Sequence, residues 1–235
     1  MDYSQALQAL LSRDPLRMQA LTAVHDLHLS DGWIGAGFVR DAVWAHLHGH
    51  PYPPMPADVD VVWFDDKQPS DAQDLEFEET LKRRNPTFNW SVKNQARMHQ
   101  RNGDAPYHST EHALGFWPET ATAVAVRLAG TQGIEIVAPY GLEDLFELRL
   151  KPTPRFEHEK YSIFTDRVAE KRWLQRYPLL HIIKHSPKRR NSPLTPNGVD
   201  LNIIASVAFV FGRRNAPYQA TSRQRRHKPF YRHPL

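Results

Sequence analysis

The sequence predicts an α/β (α+β) fold: a small mixed β-sheet with helices flanking it on one side. Three stretches predict it. Trp33-Ile34-Gly35-Ala36-Gly37-Phe38-Val39-Arg40-Asp41 reads as a strand end, a Gly-rich turn and a helix start. After a proline-rich loop, Asp58 to Phe64 reads as a second strand with acids at alternate positions. Thr120–Leu128 and Ile134–Ala138, separated by Ala129-Gly130-Thr131-Gln132-Gly133, read as a β-hairpin.

Ahead of the first strand, Leu7, Leu10, Leu11, Leu16, Met18, Leu21, Val24 and Leu27 recur at helical spacing, and Asp14-Pro15 marks a break and restart. Two short helices therefore precede the turn Ser30-Asp31-Gly32. Trp33 to Gly35 is the first strand, and a helix runs from Phe38 to Leu47. His46, His48 and His50 alternate at its fraying end, a spacing that does not converge on one metal ion. Pro51 to Pro56 is a stiff loop of polyproline character. Asp65 and Asp66 fall beyond the second strand, and residues 70–84 form a helix capped by Ser70 or Asp71 and closed by Lys82-Arg83-Arg84. Phe88 to His99 begins as a strand and ends in the polar run Asn94-Gln95-Ala96-Arg97-Met98-His99. That run suits either phosphate or base contacts or a hydrogen-bonded corner. A turn at Pro139-Tyr140-Gly141 leads into a short helix, and Tyr161 to Lys184 is amphipathic, with Arg167, Lys171 and Arg172 on its polar side.

Forty per cent apolar and 24 per cent charged residues are ordinary for a globular chain. The sequence has no cysteine, which excludes disulfides, thiolate nucleophiles and Cys-bound zinc. The N-terminal residues lack a basic region with an apolar run, and no stretch approaches the roughly 18 apolar residues of a membrane span. A cytoplasmic protein is expected. The net charge of +4 is unevenly spread: of 30 Lys and Arg, 11 fall in residues 184–235 with one acid, giving +10 there. The remaining 19 basic and 25 acidic residues leave a body of −6, which does not suit non-specific binding of nucleic acid. Residues 1–183 are read as the folded domain and 184–235 as a basic, poorly ordered extension, whose interleaved aromatics also suit nucleic-acid binding that the core does not indicate.

The chemistry lies in the turn and the acids. A Gly-rich turn at a helix start offers backbone N–H groups to a phosphate. Asp58 and Asp60, two apart in a strand, face the same way, and their mutual repulsion calls for a cation. Oxygen ligands without Cys or His suit Mg²⁺ or Mn²⁺.

Ala36-Gly37-Phe38-Val39-Arg40-Asp41 with Asp58-Val59-Asp60 resembles the Gly-Gly-x-Val-Arg-Asp … Asp-x-Asp signature of the polymerase β-like nucleotidyltransferase superfamily, which includes CCA-adding enzymes and bacterial poly(A) polymerases. Ala36 stands where that signature has its first Gly. Asn94–His99, Trp117–Thr120, Ala138–Phe146 and Arg167–Pro178 are similar to a bacterial nucleotidyltransferase-like family, over about residues 3–183. The resemblance implies the minimal nucleotidyltransferase fold. It also implies transfer of a nucleoside monophosphate from an NTP to a hydroxyl, with Asp58 and Asp60 as catalytic metal ligands. Gly35, Ala36 and Gly37 then cradle the triphosphate, with Arg40, Lys93 and Asn94 as further nucleotide contacts. Glu135, on the returning hairpin strand, matches a glutamate of CCA-adding enzymes and becomes a third carboxylate, as metal ligand or general base; its plain alternative is an exposed strand residue. The acceptor stays open, and so does the alternative of a catalytically silent module that binds a nucleotide or another protein.

Overall fold

The computed structural model describes residues 2–183 apart from 52, 68, 69, 131 and 132. The basic extension from 184 to 235 lies outside the described residues.

Helices α1 (Tyr3–Ser12) and α2 (Pro15–His25) restart where the sequence places the break. Asp2 and Asp14 each cap a helix by accepting two backbone N–H groups, and Pro15 occupies the first turn of α2, where its missing N–H costs nothing. Then come β1 (Trp33–Gly35), α3 (Gly37–Leu47), β2 (Val59–Trp63), α4 (Ala72–Arg84) and β3 (Trp90–Asn94). Short helices α5 (Met98–Asn102) and α6 (Thr110–Leu114) follow, then the hairpin β4 (Ala125–Leu128) and β5 (Ile134–Val137). The described residues end with α7 (Glu143–Phe146), β6 (Arg149–Leu150), α8 (Tyr161–Glu170), α9 (Trp173–Arg176) and β7 (His181–Ile182).

The main sheet has the order β3-β2-β1-β4-β5. Only β2 and β3 run parallel, joined by α4 as a crossover; the other pairs are antiparallel, so the sheet is mixed as expected. Alternation sorts the strands. Ile34, Val59, Val61, Val92, Val126 and Ile134 enter one large core with Leu7, Leu11, Leu21, Val39 and Val43 of the first three helices. Contrary to the one-sided expectation, the other face is also covered: Trp33, Val62, Ala125 and Val137 pack with Leu114 and Trp117.

Two predicted elements come out shorter. The hairpin's first strand begins at Ala125, because Thr120 and Thr122 are buried polar residues bonded into a turn: the Thr122 and Ala123 N–H groups both donate to the Glu119 carbonyl. The predicted 161–184 helix divides at Arg172, whose φ of +51° is incompatible with a continuing right-handed helix.

Arg17 is fully buried and organises the surroundings of β1 and β2. Its guanidinium donates to the Phe38 carbonyl at 3.0 Å and to the Pro53 and Pro54 carbonyls at 3.3 and 2.8 Å, while pairing with Asp14. One side chain thus joins α2, the first turn of α3 and the proline-rich loop. A guanidinium is the only side chain with enough fixed donors for this.

Candidate active site

The turn between β1 and α3 is tightly made. A Cβ on Gly35 would meet the Trp117 ring at 3.0 Å and the Val124 carbonyl at 3.2 Å, so packing demands glycine. Ala36 has φ +53° and ψ −124°, a region that favours glycine, and its methyl is buried beside Trp33, Leu114 and Trp117. The Val39 and Arg40 N–H groups both donate to the Ala36 carbonyl, at 3.2 and 2.9 Å. The two earlier amides, those of Gly37 and Phe38, precede the first helical acceptor. Gly37 lines a cleft together with Ala36, Asp58 and Asp60, and a Cβ there would stand 3.2 Å from Pro56.

Asp58 sits one residue before β2, so strand alternation does not set its direction. It nevertheless reaches the cleft that Asp60 lines. Asp58 is exposed and accepts a hydrogen bond from the Asn89 amide. Asp60 is 7% exposed, and its Oδ1 is buried with no hydrogen-bond partner. Burial, then the neighbouring Asp58 charge, pushes its carboxyl up to about 7. An orphaned oxygen on a carboxyl that resists ionisation, with a second carboxylate beside it, is a donor set that fits a hard divalent cation. Asp41 also lines the cleft but is paired with Arg40 and Arg176, and among the described residues no group of three acidic or imidazole side chains is placed to hold one metal ion.

Much of the remaining lining is cationic and comes from the end of the described chain. Arg167 and Lys171, one helical turn apart, line the cleft with Trp173 and Arg176. Arg167 donates to Glu119 at 2.7 Å, and Arg176 contacts Asp41 at 3.2 Å. Burial and the adjacent Arg167 and Arg40 charges lower the Lys171 ammonium, against a smaller upward pull from Asp60 and Asp58. Sequence reading places Arg167 and Lys171 on a polar helix face and assigns them no role. Their spacing of four, which puts them on one side of a helix, is the one local hint that they share a site.

Of the sequence-selected residues, the cleft brings together Ala36, Gly37, Arg40, Asp58 and Asp60, with Gly35 behind the turn. Arg40 is 7% exposed and committed: it donates to Asp41 at 2.9 Å and Thr122 at 3.3 Å, and lies against Trp44 and Trp173. Lys93, Asn94 and Glu135 do not reach the cleft. The Lys93 ammonium lies 4.0 Å from Glu78 of α4. Asn94 is fully buried; its side chain accepts the Asp65 and Ala96 N–H groups and donates to the Asp65 carbonyl. The 94–99 run is therefore a structural corner, anchored by Asp74, which accepts from Trp63, the Asn94 amide and Arg97. Glu135 pairs with Arg127 across the hairpin, on the edge strand β5. Three strand spacings, roughly 14 Å, separate β5 from β2.

A mixed sheet carrying a glycine turn beside paired aspartates defines a nucleotidyltransferase-type domain. The chain belongs to the nucleotidyltransferase family, whose model matches residues 22–182. It is similar to a solved structure described as a CCA-adding enzyme head domain, with 32% identity and a TM-score of 0.68, covering 77% of this chain and 96% of that one. A CCA-adding enzyme in complex with CTP shares the fold at 16% identity and a TM-score of 0.51; 78% of this chain matches, spanning 44% of that enzyme's length. No curated protein matches the chain. Among the described residues, no helix is long and apolar enough to cross a membrane.

Proposed function

We propose that the chain transfers a nucleoside monophosphate from an NTP to a hydroxyl acceptor and releases pyrophosphate, using Mg²⁺ or Mn²⁺ held by Asp58 and Asp60. The observation that carries this reading is the buried, partnerless Oδ1 of Asp60 beside Asp58, in the cleft that Gly37 lines. When bound, the divalent ion supplies the Lewis acidity that draws charge off the phosphates. The chain's own groups do the rest. The Gly37 N–H at the start of α3 donates to a phosphate oxygen at the positive end of the helix. Arg167, Lys171 and Arg176 face the carboxylates and neutralise the triphosphate from the other side. Asp58 and Asp60 would hold that ion, and the acceptor hydroxyl attacks the α-phosphate in line with the departing pyrophosphate. Cytoplasmic work suits a cysteine-free chain that consumes NTPs.

A second reading is a nucleotide-binding module without turnover. Ala36 in a glycine conformation and the two-carboxylate site favour it. Labelled NTPs with Mn²⁺ and the RNA and small-molecule fraction of a cell extract separate the two. Pyrophosphate release and a labelled acceptor, both lost in Asp58→Asn/Asp60→Asn, support transfer. Binding without release supports the module, and neither binding nor release removes both.

A further inference from the structure

The cations of the cleft are not equivalent. Arg40 is held by Asp41, Thr122 and two indoles; Arg167 is held by Glu119; Arg176 is held by Asp41 and the Tyr177 hydroxyl. Lys171 lines the same cleft, and among the described residues its ammonium has no hydrogen-bond or ion-pair partner within reach. Its backbone is fixed: the Lys171 N–H donates to the Arg167 carbonyl at 2.9 Å, and the left-handed Arg172 turns the chain so that Trp173 packs fully buried beneath the cleft. The cleft thus holds the Asp58 and Asp60 carboxylates together with one uncommitted ammonium.

We infer that Lys171 is the proton donor to the departing pyrophosphate. This inference rests on the transfer reading above. The acceptor oxygen forms its bond to the α-phosphorus, and the bond from that phosphorus to the bridging oxygen breaks with its electron pair going to pyrophosphate. The Lys171 ammonium gives one proton to that oxygen and becomes a neutral amine, which solvent reprotonates; the hydroxyl's own proton leaves to solvent water. A guanidinium cannot take this part, because it does not release a proton near neutral pH. An ammonium can, and the setting of Lys171 lowers it from its ordinary value. Arg167 on α8, Arg40 on α3 and Arg176 on α9 surround it on the cationic side, and Asp60 and Asp58 oppose it from β2 and the residue before it, with Asp41 beside Arg176. Half-burial and the two nearest guanidiniums outweigh the carboxylates in setting its direction.

The test uses the full chain with Mn²⁺ and the cell-extract acceptor fraction, and compares wild type with Lys171→Arg and Lys171→Met. Substrates are ATP and CTP and their analogues with CF2, CHF or CH2 between the β- and γ-phosphorus, which make pyrophosphate an increasingly basic leaving group. Wild type should show a shallow dependence on leaving-group basicity. Lys171→Arg should keep ATP affinity within about threefold, read by quenching of tryptophan fluorescence. It should lose about 100-fold or more in release rate, with the loss growing as the leaving group becomes more basic, in the range set by general acid catalysis. A Lys171→Arg protein at the wild-type rate overturns the inference, and so does an equal loss with every leaving group; both leave nucleotidyl transfer standing. Wild type that releases no pyrophosphate from any NTP overturns the transfer reading and this inference with it.

Discussion

The Arg40 guanidinium lies over the Trp173 ring, 4.5 Å from its centroid, and 5.2 Å from that of Trp44. Two elements distant in sequence, α3 and α9, are thereby joined behind the cleft. Arg40 also forks onto Asp41, which in turn receives Arg176. Lysine keeps the charge but neither stacks flat nor forks. Arg40→Lys is expected to destabilise the protein by about 2 kcal/mol in urea titration, within the usual range for a broken buried network.

Asp60 gives a pH signature. Its folded carboxyl is raised to about 7 from an ordinary 3.8, so the folded state holds a proton that the unfolded state has released between those values. Stability from this group is therefore lost as pH rises from about 4 to about 7, then stays flat, with a total on the order of a few kcal/mol. Asp60→Asn should remove that slope. In metal-free buffer the urea midpoints of wild type and Asp60→Asn should diverge between pH 4 and 7, with the variant more stable at pH 7.5. Mg²⁺ should raise the wild-type midpoint and leave the variant unmoved.

Ala36 stands in a conformation that costs a non-glycine residue roughly 1–3 kcal/mol. Ala36→Gly relieves this but forfeits a buried methyl and adds chain entropy to the unfolded state. The expected net is a gain of about 1 kcal/mol in the urea midpoint, with nucleotide affinity equal or better. Ala36→Val should fail to fold stably, since a β-branched side chain suits neither that φ nor the packed surroundings.

Glu135 supplies a negative control. Its ion pair with Arg127 is about half exposed, and such pairs contribute little. Glu135→Gln should change stability by less than about 0.5 kcal/mol and leave pyrophosphate release within about twofold of wild type. A loss comparable to that of Asp58→Asn would place Glu135 in the site.

What could be read ahead of the structure was local. The restart at Asp14-Pro15, the turn at Gly35–Gly37 and the acids at 58 and 60 each carry their meaning within a few residues. The hairpin was legible from its glycines, although Thr120 to Val124 looked like strand because nothing nearby reveals that Thr122 serves Arg40. Asn94 carried the appearance of a ligand-binding amide, and its partners at Asp65 lie 29 residues away. Glu135 has the expected local pattern, but the fold sets it on the edge strand, three strands from β2, since strand order is a property of the whole fold. The cationic wall was least legible: Lys171 gains its meaning only when α8 folds back across the carboxylates, more than a hundred residues after them.

Arg17 carries an outcome for anyone shortening this protein. The family match begins at residue 22, and Arg17 stands outside it, yet its guanidinium tethers the loop that delivers Asp58 and the first turn of α3. A chain cut back to its recognisable portion would keep every group that borders the cleft and lose the strut that aims them. Full-length α2 belongs to the candidate site in all but contact.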